Sequence, residues 1–156
     1  MDVDGGRLYY EVEGSGHPLL MIHGGLGTLR MWDGQVPAFA ERYRVIRYDT
    51  RGFGRTETED VEFSNLEDAR AVLDHLDAES AFVIGTSRGG IIGLDFLLAY
   101  PDRVDAFVSI ASGVGGGMGN TGSVCGAVSG AVMAIGLIME REDTLEGWFL
   151  SLIHIS

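Results

Sequence analysis

Two short apolar runs limit the fold of this chain more than any other feature. Leu19-Leu20-Met21-Ile22 lies between Pro18 and a glycine cluster, and Ala81-Phe82-Val83-Ile84 runs up to Gly85. Neither alternates with polar residues, so each reads as a strand covered on both faces, the kind found in parallel sheets. The segments around them alternate in type. Trp32 to Tyr43 is expected to be helical, Arg44 to Tyr48 a strand, and Val104 to Ile110 the next strand after a helix from Gly89 to Tyr100 that Pro101 stops. Ser64-Asn65-Leu66-Glu67 fits a capping box opening another helix. In that helix Leu66, Ala69, Leu73 and Leu76 trace an apolar face, while Glu67, Asp68, Asp74 and His75 are expected to face water. Arg7 to Glu13 alternates apolar and polar residues after the turn sequence Asp4-Gly5-Gly6, so a hairpin is expected to open the chain. The succession predicts an α/β fold: a mostly parallel sheet with flanking helices, right-handed crossovers, and ligands at the carboxyl ends of its strands.

Composition narrows the function. With 156 residues, 46% of them hydrophobic, the chain can build a core, and one domain is expected. A formal charge of −12 would repel phosphate backbones and anionic headgroups, which argues against nucleic-acid and membrane partners. The lone Cys125 has no disulfide partner and no metal-ligand spacing beside it, so no cofactor or metal is expected and the reducing cytoplasm fits. The start, Met1-Asp2-Val3-Asp4, does not read as a signal peptide. Ser123 to Met139 is uncharged but short for a span and broken by glycines, so it reads as a buried or lid helix. From Gly113 to Gly136 the composition shifts to Gly, Ala, Val and Ser.

The chemistry concentrates in two glycine-rich loops. Gly85-Thr86-Ser87-Arg88-Gly89 has the G-x-S-x-G pattern and stands between an apolar strand and an apolar helix. There a sharp turn lifts the Ser hydroxyl above the sheet, glycines two residues either side let strand and helix approach, and the helix start offers free amides to an oxyanion. Ser87 is therefore the candidate nucleophile, with the Arg88 amide as one oxyanion donor. His23-Gly24-Gly25-Leu26-Gly27 follows the first buried strand, and Gly25 is the candidate second donor.

These two motifs, with Asp49-Thr50-Arg51-Gly52-Phe53-Gly54-Arg55-Thr56 and Tyr100-Pro101-Asp102-Arg103-Val104, make the chain resemble the α/β-hydrolase superfamily from Gly5 to about Gly113. The resemblance implies a serine hydrolase of small-molecule esters or lactones, working through an acyl-enzyme. Other serine branches remain open: C–C hydrolases, cofactor-free haloperoxidases and aminopeptidases. A non-catalytic binding protein on the same fold is the alternative from another class. The resemblance also implies that the triad acid and histidine follow the nucleophile, and the sequence is read as ending before both. Residues 1–149 are thus expected to be an incomplete α/β-hydrolase domain, with a lid beginning near 113, whose fragment alone is inactive.

The remaining candidates have plainer readings. His17, His23 and His75 sit at a strand entrance, in the oxyanion motif and on a polar helix face, so none reads as the base. His154 falls in Leu150-Ser151-Leu152-Ile153-His154-Ile155-Ser156, which resembles a translated sequencing adaptor, so 150–156 is read as a non-native tail. Asp49 and Arg51 are expected to brace their loop. The Arg88 side chain is expected in solvent or in a surface ion pair, and Asp95 on an exposed helix edge.

Overall fold

The computed structural model describes residues 1–110. The lid expected from Gly113, the Ser123–Met139 segment, Cys125, His154 and the 150–156 tail lie outside the described residues. Eight strands and three helices follow in order: β1 (Asp2–Val3), β2 (Gly6–Arg7), β3 (Tyr10–Glu13), β4 (His17–Ile22), α1 (Val36–Ala40), β5 (Tyr43–Tyr48), β6 (Glu57–Thr58), α2 (Asn65–His75), β7 (Ala81–Thr86), α3 (Arg88–Ala99) and β8 (Val104–Ile110). The main sheet has the order β3-β5-β4-β7-β8. Only β3 runs antiparallel within it; β5, β4, β7 and β8 are mutually parallel. The expected α/β architecture is therefore present, and both uninterrupted apolar runs lie in adjacent central strands.

The alternation of side chains along those strands sorts the core into two layers. Leu20 and Ile22 of β4, Ile46 and Tyr48 of β5 and Val83 of β7 pack with Ala69, Val72 and Leu73 of α2 and with Ile92 and Phe96 of α3. Their strand neighbours Leu19, Met21 and Val45 face the other way, onto Trp32 and Val36. Leu20, Met21 and Ile22 are fully buried. At about 25 cal/mol per Å² of apolar surface, each such side chain contributes roughly 1.5–3 kcal/mol. That two-sided burial is why polar residues are missing from the runs.

Several local expectations are corrected. The helix from Trp32 to Tyr43 is instead a 3₁₀ turn, Leu29–Trp32, capped by the Thr28 hydroxyl, then the short α1. Gly34 interrupts the pattern and Pro37, in the first turn of α1, restarts it. The opening hairpin forms at Asp4-Gly5, with β1 antiparallel to β2, but Arg7 to Glu13 is not one strand: β3 pairs instead with β5, and between β2 and β3 Leu8 is buried in the core. Ser64 stands at the N-cap of α2, but its side chain makes no capping bond. The reciprocal arm is also occupied, because Glu67 binds Arg70 and accepts from the Tyr100 hydroxyl. Asp68, expected in water, is buried against Arg51. Among the described residues no helix is long and apolar enough to cross a membrane.

Candidate active site

At the carboxyl end of the sheet, β7 passes into α3 through a single residue, Ser87. Its backbone has φ 50° and ψ −118°, outside the regions ordinary residues favour and close to the first central position of a type II′ turn, where glycine dominates. Hydrogen bonds hold it there. The Ser87 amide donates to the Ile110 carbonyl at 2.9 Å, and the Gly90 amide donates to the Ser87 carbonyl at 2.9 Å. Only glycine fits on either side: a Cβ on Gly85 would collide with the Gly89 carbonyl, and one on Gly89 with the Ile22 carbonyl. The Ser87 side chain is exposed and makes no capping bond to its helix.

The loop after β4 lies against this turn. A Cβ on Gly24 would come within 3.5 Å of the Ser87 Cβ, and one on Gly25 would touch the Arg88 stem at 3.4 and 3.5 Å. Among the described residues the Gly25 and Arg88 amides have no hydrogen-bond acceptor. Two free donors on adjoining loops, beside an exposed hydroxyl, are the parts needed to bind a carbonyl and stabilise negative charge developing on its oxygen.

His23 supports these loops from beneath. It is fully buried, and the Thr50 amide donates to its Nε2 at 2.9 Å, so Nε2 is unprotonated. Nδ1 then carries the proton and donates to the Gly24 carbonyl at 2.7 Å. Burial pushes its pKa below the usual histidine value, against the opposing pull of the Gly24 carbonyl and the Asp49 charge. With both nitrogens engaged it positions Gly24 rather than moving protons. His17 binds Asp105 at the amino end of the strands, and His75 binds the Tyr10 hydroxyl.

Asp49 and Arg51 act as braces. The Asp49 carboxylate accepts from the Leu29 amide at 2.7 Å and the Arg55 amide at 2.8 Å, joining the loops after β4 and β5. Arg51 makes a bidentate pair with Asp68 of α2, at 2.8 and 2.9 Å, and reaches the Gly5 carbonyl. Asp95 is exposed, as expected.

The Arg88 side chain departs from expectation. It is half-buried, and its guanidinium donates to Thr50 Oγ1 at 2.7 Å and Asn65 Oδ1 at 3.0 Å while lying 5.1 Å from the centre of the Phe53 ring. No carboxylate pairs with it among the described residues. The stem of Arg88 packs over Gly25, and the head reaches the loop after β5 and the first residue of α2. Thr50, Phe53 and Asn65 thus belong to the site although the sequence reading gave them no such part. Thr50 and Phe53 occupy the unspecified positions of their loop motif, and Asn65 looked like part of a helix cap.

A strand–turn–helix serine, a glycine loop against it and a parallel sheet beneath define a chain built on the hydrolase plan of the α/β class. The family model for the alpha/beta hydrolase fold matches residues 17–123, and the chain belongs to that family. Among its relatives is RutD of Azorhizobium caulinodans, whose carbamate-hydrolase name is itself provisional, 43% identical over 100 residues, 62% of this chain and 38% of that protein. The soluble epoxide hydrolase of a Corynebacterium is 35% identical over 65% of this chain and 36% of its own length. A solved structure described as Est816, an N-acyl homoserine lactone degrading enzyme, superposes with a TM-score of 0.69 at 34% identity, covering 73% of this chain and 45% of that one. The chain spans less than half the length of the curated relatives it matches.

Proposed function

We propose that, in the full-length protein, Ser87 is the nucleophile of a hydrolase acting on ester or lactone bonds. The observation that carries this reading is the forced left-handed backbone of Ser87 between two glycines that cannot be replaced. A conformation costing roughly 1–3 kcal/mol is held at a residue that is exposed and whose hydroxyl makes no capping bond. The Ser87 oxygen attacks the substrate carbonyl, and its proton passes to a histidine that the family resemblance places later in the chain. The carbonyl oxygen, now negative, takes hydrogen bonds from the Gly25 and Arg88 amides. The alcohol leaves with the proton, and water then cleaves the acyl-serine to the acid. Similarity to a lactone-degrading enzyme supports an acyl substrate. A serine at this position distinguishes the site from the aspartate that the family resemblance links to epoxide hydrolases, despite the likeness of sequence.

A fluorophosphonate probe tests the assignment. The full-length protein is expected to label at Ser87 and its Ser87→Ala variant to stay unlabelled, with ester turnover lost in parallel. Equal labelling of the two proteins would refute it.

A further inference from the structure

Among the described residues, most arginines are spent on carboxylates. Arg7, Arg30, Arg47, Arg51, Arg70 and Arg103 each pair with at least one, and Arg47 with Glu11, Glu13 and Asp33 together. With 23 acids against 11 bases, such partners are abundant. Arg88, next to the candidate nucleophile, is held by neutral groups, as Arg55 is by the hydroxyl and ring of Tyr9. The partners of Arg88 are a hydroxyl, an amide oxygen and an aromatic face, all neutral, and the first two take separate terminal nitrogens. Neutral acceptors fix a guanidinium in place without cancelling its charge. They also occupy only part of its five-donor fork, leaving N–H groups to spare. The Phe53 ring and the half-buried setting keep bulk water from fully screening that charge.

We propose that Arg88 binds a carboxylate of the substrate, so that the preferred substrates are esters or lactones carrying a carboxylate a few bonds from the scissile carbonyl; this rests on Ser87 being the nucleophile. Arg88 then has two separable parts. Its amide serves the reacting oxygen, while its side chain, turned across Gly25, sets which acyl compounds lie correctly over Ser87. Thr50 and Asn65 are positioning residues for that side chain. A charge-assisted, bidentate contact of this kind discriminates an anionic ligand from a neutral one of the same shape by about 10- to 100-fold.

The test compares mono-p-nitrophenyl succinate with p-nitrophenyl pentanoate on the full-length enzyme, and reads the ratio of their kcat/KM values. In Arg88→Gln the succinate-to-pentanoate ratio is expected to fall by about 10- to 100-fold, mainly through KM for the succinate ester, and Arg88→Lys to recover part of it. Asn65→Leu, which frees the head without removing its charge, is expected to give an intermediate fall. In the unaltered enzyme, raising ionic strength from about 0.01 to 0.5 M should lower the ratio, because salt screens the charge. An unchanged ratio in Arg88→Gln, or an equal loss on both esters, would overturn the proposal. Should that variant fail to fold, a ratio insensitive to salt and to Asn65→Leu would do the same. Fluorophosphonate labelling separates the two readings. If Ser87 does not label, the nucleophile assignment fails; if it labels while the ratio stays constant, only the carboxylate site fails.

Discussion

The backbone of Ser87 makes a prediction about stability that is independent of turnover. At φ 50° and ψ −118° the residue lies where a Cβ clashes with its own peptide units. Holding a non-glycine residue there costs roughly 1–3 kcal/mol, which the sheet, the Ile110 carbonyl and the Gly85–Gly89 contact together sustain. Ser87→Ala keeps the Cβ and so keeps the strain. Ser87→Gly removes it, at a cost of about 0.5–1 kcal/mol because glycine frees the unfolded chain. The difference leaves Ser87→Gly about 1 kcal/mol more stable than Ser87→Ala, a rise of roughly 2–4 °C in Tm for a protein of 150–250 residues. Thermal melts of both variants of the full-length protein measure it, and neither should label with fluorophosphonate. If Ser87→Gly melts at or below Ser87→Ala, the turn is not strained, and the argument that the fold sustains an unfavourable conformation for the sake of chemistry is wrong.

Other expectations follow from the braces and the loops. Arg51→Met or Asp68→Leu alone leaves one buried charge without its partner and should cost about 3–5 kcal/mol, whereas the double variant should recover most of that; a denaturant double-mutant cycle checks the coupling. His23 has a folded pKa below its unfolded value of about 6.5, so the native state binds fewer protons. Its contribution is present above that pH and declines as pH falls through and below it, and the stability advantage of the unaltered protein over His23→Gln should shrink between about pH 7 and 5. Gly89→Ala places a Cβ against the Ile22 and His23 carbonyls, which cannot step aside as a side chain would, and should lower stability by at least about 1–3 kcal/mol in a chemical-denaturation curve. Gly25→Pro removes a free amide and should lower kcat about 10²–10³-fold with the Ser87 backbone intact; near-normal turnover would place the oxyanion donor elsewhere.

Much of the frame was legible because its signals are local. An apolar run between breakers marks a strand covered on both faces whatever lies around it, and Leu19–Ile22 and Ala81–Ile84 did so for β4 and β7. Glycine spacing around Ser87 reports a steric requirement of the chain within five residues, so the turn could be read directly. Where neighbours in space compete with neighbours in sequence, the reading failed. The capping box at Ser64 matched its pattern, yet Glu67 is drawn to Tyr100 at the far end of α3 and to Arg70, and the local bond is not made. Asp68 sits on a face that looks polar by periodicity, but Arg51 arrives from another loop and makes burial of the acid favourable. The split of the expected helix into a 3₁₀ turn and α1 follows from Gly34 and Pro37, residues in plain view whose weight only the packing of Trp32 and Val36 made clear.

By itself, then, the order of residues determined the layered α/β sheet, the serine at its strand–helix turn and the glycine loop that would face it, because each depends on period, sterics and turn chemistry over a few positions. Only the tertiary structure decided where the long polar side chains go. An arginine head can swing through many ångströms at little cost in torsional energy, so its partner depends on which loops the sheet brings within reach. That is how Arg51 came to Asp68, and how Arg88 came to neutral Thr50, Asn65 and Phe53 rather than to any described carboxylate.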